Sequence, residues 1–265
     1  MHAYDEGYNK PRLLSSLTKA VRMPLELSLP YQLRTSDFDR FDRLKPASAL
    51  DIFQDVASIQ AEDMGIGYDR MVSEGVFWAV ARTKLEIVQN PAMHSVATAR
   101  TWPHSPSRLF FQRDYAMTDA DGNMVAKARS EWMLLNTETR TIESVLDHCD
   151  VDGDFCEDRM FADKVRRTKP FLLEEATEPL AEVVAKPSDA DTNGHVNNAC
   201  YATYVLDVLD LGANEQIKTL QIDYRHEIRV GDRIKIAVRR DGKTILAQGM
   251  NGSDEASFTC EIVLA

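Results

Sequence analysis

Pro187-Ser188-Asp189-Ala190-Asp191-Thr192-Asn193-Gly194-His195-Val196-Asn197-Asn198-Ala199-Cys200-Tyr201 begins with a pattern the chain has already used once, at Thr35-Ser36-Asp37-Phe38-Asp39. After each copy comes a polar loop, and then a segment with helical spacing. In the first copy this runs from Ala49 to Met64, with Leu50, Phe53, Val56, Ala57 and Gln60 recurring every third or fourth residue. In the second it runs from Tyr201 to Leu211, with Tyr204, Val205, Val208 and Leu209 on one face.

Strand-like runs follow each helix. The first set is Phe77 to Val88, Val96 to Trp102, Leu109 to Thr118 and Met124 to Asn136. The second is Leu220 to Arg229, Arg233 to Arg240, Thr244 to Met250 and Ala256 to Leu264. Asp121-Gly122, Asp241-Gly242 and Asn251-Gly252 lie between strands, and such dipeptides accept the positive φ of tight hairpins. The shared order of loop, helix and antiparallel strands predicts an α+β protein built from two tandem units. Each unit lays a long helix on an antiparallel sheet, and the two sheets join edge to edge so that neither leaves an open strand at the junction.

The 265 residues suffice for two such units, and 44% apolar and 28% charged content is ordinary for a globular protein. The reading divides the chain into an N-terminal segment 1–24, a first unit 25–142, a linker 143–180 and a second unit 181–265. A net charge of −11 argues against general nucleic-acid binding, which requires basic surface. No apolar run reaches membrane-spanning length. The four cysteines follow no zinc spacing, and no signal-peptide pattern opens the chain, so a reduced, cytoplasmic protein is expected. The linker is acidic at first and then basic at Lys164, Arg166, Arg167 and Lys169, which reads as a solvated face.

The 189–201 loop collects carboxylates, carboxamides and an imidazole just before a helix start, where backbone N–H groups lie unpaired. Such a set has the parts for acid–base or nucleophilic work on an acyl group. The first copy carries Phe41 where the second has Asn193, and Arg43 where it has His195. That degeneracy suggests catalysis in the second unit and acyl-chain housing in the first. Phe53, Met64, Met71, Phe77 and Trp78 are the candidate lining of an apolar pocket. No Gly-x-Ser-x-Gly elbow, phosphate-binding glycine loop or His-x-x-x-His pair is present, so neither a serine hydrolase nor a metal site has support.

Asp191-x-Asn193-x-His195-Val196-Asn197-Asn198-x-x-Tyr201, with Asp223-Tyr224-Arg225-His226-Glu227 downstream, resembles the acyl-acyl-carrier-protein thioesterases of bacteria and plant plastids. The resemblance extends from about Leu25 to the C-terminus and implies a tandem hotdog fold. It implies hydrolysis of fatty acyl-carrier thioesters, with Asp191, Asn193 and His195 on the catalytic string and Glu227 as a second-strand carboxylate. The implied partner is an acyl carrier protein bearing a 4'-phosphopantetheine acyl thioester, and no cofactor is called for. Plant members often carry Cys directly after this Glu; here the position is Ile228, which favours attack by water or a carboxylate. Glu227 or Asp191 can serve as base, or Asp191 can attack directly. The helix opening near Asn198 can offer a backbone N–H to the oxyanion. Binding of an acidic carrier calls for a basic face: the linker cluster, or Arg225, Arg229, Arg233 and Arg239. A coenzyme A thioesterase, a hotdog hydratase-dehydratase and a non-catalytic acyl binder stay open beside this reading, as does a homodimer.

Overall fold

The computed structural model describes residues 25–151, 153–191 and 194–265. The first repeat contains β1 (Leu27–Gln32), α1 (Pro46–Asp63), α2 (Tyr68–Ser73), β2 (Val76–Ile87), β3 (Val96–Pro103), β4 (Phe111–Thr118) and β5 (Met124–Asn136). A short hairpin strand, β6 (Ile142–Glu143), and one turn of helix, α3 (Val145–His148), follow. The second repeat contains β7 (Ala181–Val184), α4 (Cys200–Leu209), β8 (Ile217–Tyr224), β9 (Arg233–Asp241), β10 (Thr244–Met250) and β11 (Ala256–Leu264).

All strands join one antiparallel sheet in the order β1-β3-β4-β5-β2-β8-β11-β10-β9-β7, with β6 on β5. The order is the same read inward from either end: β1, β3, β4, β5, β2 correspond to β7, β9, β10, β11, β8. The units meet where β2 pairs with β8, Arg82 opposite Asp223 and Leu85 opposite Leu220. This is the edge-to-edge junction that the repeat implied.

Helix α1 starts with Pro46 in its first turn, where a missing N–H costs nothing. It buries Ala49, Leu50, Phe53, Val56, Ala57 and Gln60. The second helix, expected over Tyr201 to Leu211, runs over Cys200–Leu209, is ten residues long against eighteen for α1, and ends where Asp210 turns left-handed at φ 42°. Both helices sink their apolar stripes into one continuous core with Leu85, Leu220, Ile222 and Ile262. The edge strands β1 and β7 were not foreseen. They alternate half-buried and exposed residues and β7 has only four, so neither shows an apolar run.

The opposite face of the sheet is polar but closed. Asp114 and Arg129 stand directly across from each other on β4 and β5, with Arg129 Nε and Nη2 each 2.6 Å from a different Asp114 oxygen. Arg82 lies 3.2 Å from both Glu131 and Asp223. The 150–180 segment runs over this face and points its backbone inward. The carbonyls of Phe161 and Val165 accept from Arg129 and Arg82, and the Met160 N–H donates to Asp114. Its charged side chains point outward, so a run that reads as merely solvated also covers buried ions.

On the helix face, Gly249 of β10 pairs with Phe258 of β11, and a Cβ at Gly249 would collide with the Phe258 ring. That ring is fully buried and meets Tyr201 edge-on at 5.2 Å. Gly249→Ala is therefore expected to lower stability by about 1–3 kcal/mol, as overpacked cores do. Urea unfolding checks this, and an unchanged midpoint would show that the ring can yield. Among the described residues, no helix is long and apolar enough to cross a membrane.

Candidate active site

The two repeated loops share a set of hydrogen bonds among the described residues. Asp37 Oδ2 accepts the Arg34 N–H at 2.7 Å, and Asp189 Oδ2 accepts the Lys186 N–H at 2.8 Å. The carbonyls of Asp37 and Asp189 accept the N–H groups of Lys45 and Asn197. Next, Asp39 and Asp191 each donate an N–H to the carbonyl of Arg43 and His195, both at 2.8 Å. Each also accepts the return N–H on Oδ1, at 3.0 Å and 3.2 Å. The reversal between them needs positive φ, supplied by Asp42 at 59° and Gly194 at 77°. Arg43 therefore stands where His195 stands. It is paired to Asp39 at 2.8 Å and covers the Phe41 ring.

Glu227 reaches His195 because a second loop is laced to the first. Strand β8 stops at Tyr224, since Arg225 and His226 both direct their N–H groups at the Ser257 carbonyl and break the ladder. This corrects the expected strand to Arg229 and makes Glu227 a loop residue, not a strand residue. The loop is then fixed from both sides. The Val196 N–H donates to the Ile228 carbonyl at 2.9 Å, and the Ile228 N–H donates to the Tyr201 hydroxyl at 3.2 Å. The Tyr224 hydroxyl donates to the Asn198 carbonyl at 3.0 Å. Tyr201 and Tyr224 pack edge-on at 5.0 Å, and burial pushes both phenols well above their usual pKa.

The result is a contact of 3.2 Å between His195 Nε2 and Glu227 Oε2. The other carboxylate oxygen of Glu227 accepts from Arg140 at 3.2 Å, and Arg229 lies 3.9 Å away. Arg140 comes from the β5–β6 turn of the first repeat, at φ 59°, with its guanidinium over Phe77. Nothing local in the sequence marks it. Only the sheet junction brings that turn to the second loop.

Asp191, His195, Asn198 and Glu227 all lie on the wall of a cavity of about 460 Å³. Gln54, Ala57, Ser58, Ala61 and Glu62 of α1 supply one side, at the i, i+3, i+4, i+7 spacing of a single helix stripe. Phe77, Trp78, Val80, Trp132 and Leu135 supply most of the apolar remainder. Of the residues expected to line an acyl pocket, Phe77 and Trp78 are on this wall. Phe53 is not: it is 2% exposed, with its ring 5.1 Å from Tyr115. Met71 is fully buried in a separate cluster with Ile66, Val76 and Leu134, and Met64 packs beside that cluster. Asn193 lies outside the described residues. Among the described residues, the Asn198 N–H has no hydrogen-bond acceptor, and its side-chain amide contacts Gln54 at 3.4 Å.

Ile228 is fully buried, and burial, with the charges of Asp189 and Asp51 adding to it, pushes the nearby Cys200 thiol up to about 11. Among the described residues, no group of three or more His, Cys, Asp or Glu side chains is placed to hold a metal ion.

Residues 26–150 match the acyl-ACP thioesterase N-terminal domain family, and residues 174–263 match the acyl-ACP thioesterase C-terminal domain family. The oleoyl-acyl carrier protein thioesterase 2 of Arabidopsis thaliana chloroplasts is 26% identical over 225 residues, which is 78% of this chain and 61% of that protein. The oleoyl-acyl carrier protein thioesterase of Coriandrum sativum is 26% identical over 68% of this chain and 53% of its own length. The chain thus spans between half and two thirds of these curated relatives. Two solved structures share the fold. An acyl-ACP thioesterase of Bacteroides thetaiotaomicron superposes with a TM-score of 0.80 at 23% identity, covering 91% of this chain and 98% of that one. The 12:0-ACP thioesterase of Umbellularia californica gives 0.81 at 16% identity, covering 91% and 97%. With both halves matched in order by its two domain families, the chain belongs to the acyl-ACP thioesterase family.

Proposed function

We propose that this protein hydrolyses the thioester between an acyl chain and the 4'-phosphopantetheine arm of an acyl carrier protein, releasing a free acid and the carrier thiol. The reading rests on the His195–Glu227 contact on the wall of a cavity whose other walls come from the first repeat. Residues 25–142 then house the acyl chain, residues 181–265 carry the chemistry, and residues 143–180 link them.

In this scheme the acyl chain lies along the α1 stripe and the carbonyl sits by Asn198. Water attacks the carbonyl carbon, and its proton passes to the His195–Glu227 pair. The oxyanion is met by the Asn198 N–H at the α4 entrance. When the C–S bond breaks, the departing thiolate takes the proton back from His195. Glu227 orients the imidazole and offsets its charge while the proton is held. Asp191 accepts the His195 N–H and so fixes the loop. Asn193 is assigned by motif to holding the carbonyl or the water.

The carrier docks, in this proposal, on Lys164, Arg166, Arg167 and Lys169. All four are exposed and have no ion pair within the described residues. The Thr168 carbonyl between them accepts from Arg225, which lines the cavity. Of the rival set, Arg233 pairs with Glu182 and Arg239 with Glu175. Free-thiol release from matched acyl-carrier and acyl-coenzyme A esters tests the substrate. Carrier ester should be the faster; equal or faster release from coenzyme A would move the assignment to coenzyme A esters. Arg166→Glu with Arg167→Glu should raise KM for the carrier ester about tenfold, more than for the coenzyme A ester, by removing charge complementarity. An unchanged KM would place the docking face elsewhere.

A further inference from the structure

The cavity has walls on both faces of the sheet. Strand β8 pairs with β2 only from Arg82 to Glu86, although β2 begins at Val76, so the start of β2 borders a gap where β8 has ended. Val80 stands opposite Trp132 on the α1 side, and Ala79 opposite Met133 on the side that the 150–180 segment covers. All four line the cavity. The α1 side suits an alkyl chain, and the other side is where a polar arm would enter.

Arg225, the first residue past β8, lines the cavity beside this gap. Its Nη2 donates to the Thr168 carbonyl at 2.9 Å, which ties it to the 150–180 segment. Among the described residues its Nε and Nη1 have no acceptor, Nε being buried, and no carboxylate pairs with it. Asp223 is taken up by others: Arg82 lies at 3.2 Å, and the Thr168 N–H and the Gln221 amide both donate to it at 2.9 Å. The charge that bears on Arg225 is another cation, the exposed Arg167. Burial and that charge lower the Arg225 pKa, with Asp223 offsetting only part.

Other buried guanidinium groups of the sheet are matched. Arg129 has both oxygens of Asp114, and Arg82 has Glu131 and Asp223. Arg113, also on the cavity wall, is bonded to Gln60 and Thr101. Two guanidinium groups within electrostatic reach of each other at a cavity wall, with no anion on either, suit a phosphate.

We propose that Arg225 and Arg167 form the subsite for the phosphate of the 4'-phosphopantetheine arm, with the thioester carried inward past Glu227 to His195. This rests on the proposed acyl-carrier reading, which supplies the arm. About thirteen bonds separate the phosphorus from the thioester sulfur, or about 16 Å at about 3.8 Å per three bonds. Arg225 and Glu227 are two residues apart, about 7 Å of extended backbone. Arg225 turns to Thr168, and Glu227 to His195 and Arg140, so each side chain adds its own length to that span. The subsite reads the arm, whereas the basic cluster around it reads the body of the carrier.

Calorimetric titration of the full chain with 4'-phosphopantetheine and with pantetheine, in phosphate-free buffer, tests the subsite without the carrier body and without turnover. The phosphorylated probe should bind the wild type at least about tenfold more tightly. Arg225→Gln should bring the two probes within about twofold of each other, and Arg225→Lys, which keeps the charge, should retain most of the preference. Arg167→Ala, at an exposed position, should reduce it about threefold. Equal binding of the two probes by the wild type, no detectable binding of the phosphorylated one, or a preference that survives in Arg225→Gln would overturn the proposal. Failure to release thiol from any acyl ester, with the phosphate preference intact, would instead remove the hydrolase reading and leave the subsite standing.

Discussion

Glu227→Gln and His195→Ala are each expected to lower kcat/KM for an acyl-carrier thioester by about 10²- to 10⁴-fold, the range for loss of a positioned acid–base group. Glu227→Gln keeps the shape of the side chain and can keep a hydrogen bond to the imidazole. It removes the negative charge that faces His195 at 3.2 Å and Arg140 at 3.2 Å. The loss should therefore fall mainly on kcat, with KM nearly unchanged, because the acyl chain binds to first-repeat residues. Groups that act as one unit lose activity only once. The double variant should then be no slower than the slower single one. Losses that multiply would mean that the two side chains work independently, and the pair would have to be abandoned as the proton-handling unit.

The second large effect concerns stability. Asp114 is fully buried and accepts from both Arg129 nitrogens, from the Met160 N–H and, at 3.0 Å, faces His104. Asp114→Ala leaves a buried guanidinium without its carboxylate and removes the acceptor of the Met160 N–H. A cost of about 3–5 kcal/mol is expected, as for other broken buried pairs. Acid should act similarly on the wild type. Burial by itself would raise the Asp114 pKa, but the bonds from His104, Arg129 and Met160 outweigh it and hold the carboxyl below its usual range. Its contribution is thus complete above the ordinary aspartate pKa and disappears as pH falls through the lowered one. Chemical unfolding at neutral and acidic pH checks both statements. An Asp114→Ala chain as stable as wild type at neutral pH would show that the ionic network is replaceable.

Much of this architecture was legible before any coordinates. Helix α1 and the strands from β2 to β5 and from β9 to β11 show plain periodicity between turn dipeptides. The echo of Ser36-Asp37-x-Asp39 in Ser188-Asp189-x-Asp191 marks two loops whose hydrogen bonds prove equivalent. What stayed hidden depends on long-range pairing. Glu227 leaves the strand because two successive N–H groups converge on Ser257, and no local pattern signals that. Arg140 joins the site only through the β2–β8 junction and the β5–β6 turn. Phe53 and Phe77 are both aromatic residues of the first repeat, yet one faces the core and the other the cavity. Phe53 is set by the rotation of α1 against the sheet, and Phe77 by its place on β2. The adjacent Arg113 and Asp114 face opposite sides of β4, one bonded to the neutral Gln60 and Thr101 and the other to the Arg129 guanidinium, and composition cannot distinguish them.

The most direct test is whether an acyl-carrier thioester is cut with its sulfur set free. Incubation of wild-type protein with an acylated carrier should release free thiol and free acid in equal amounts. Intact mass of the carrier should fall by the acyl group, and Glu227→Gln should slow that loss by at least a hundredfold. A carrier that keeps its acyl mass, or gains or loses only a water on it, while binding the protein normally would contradict the hydrolase assignment.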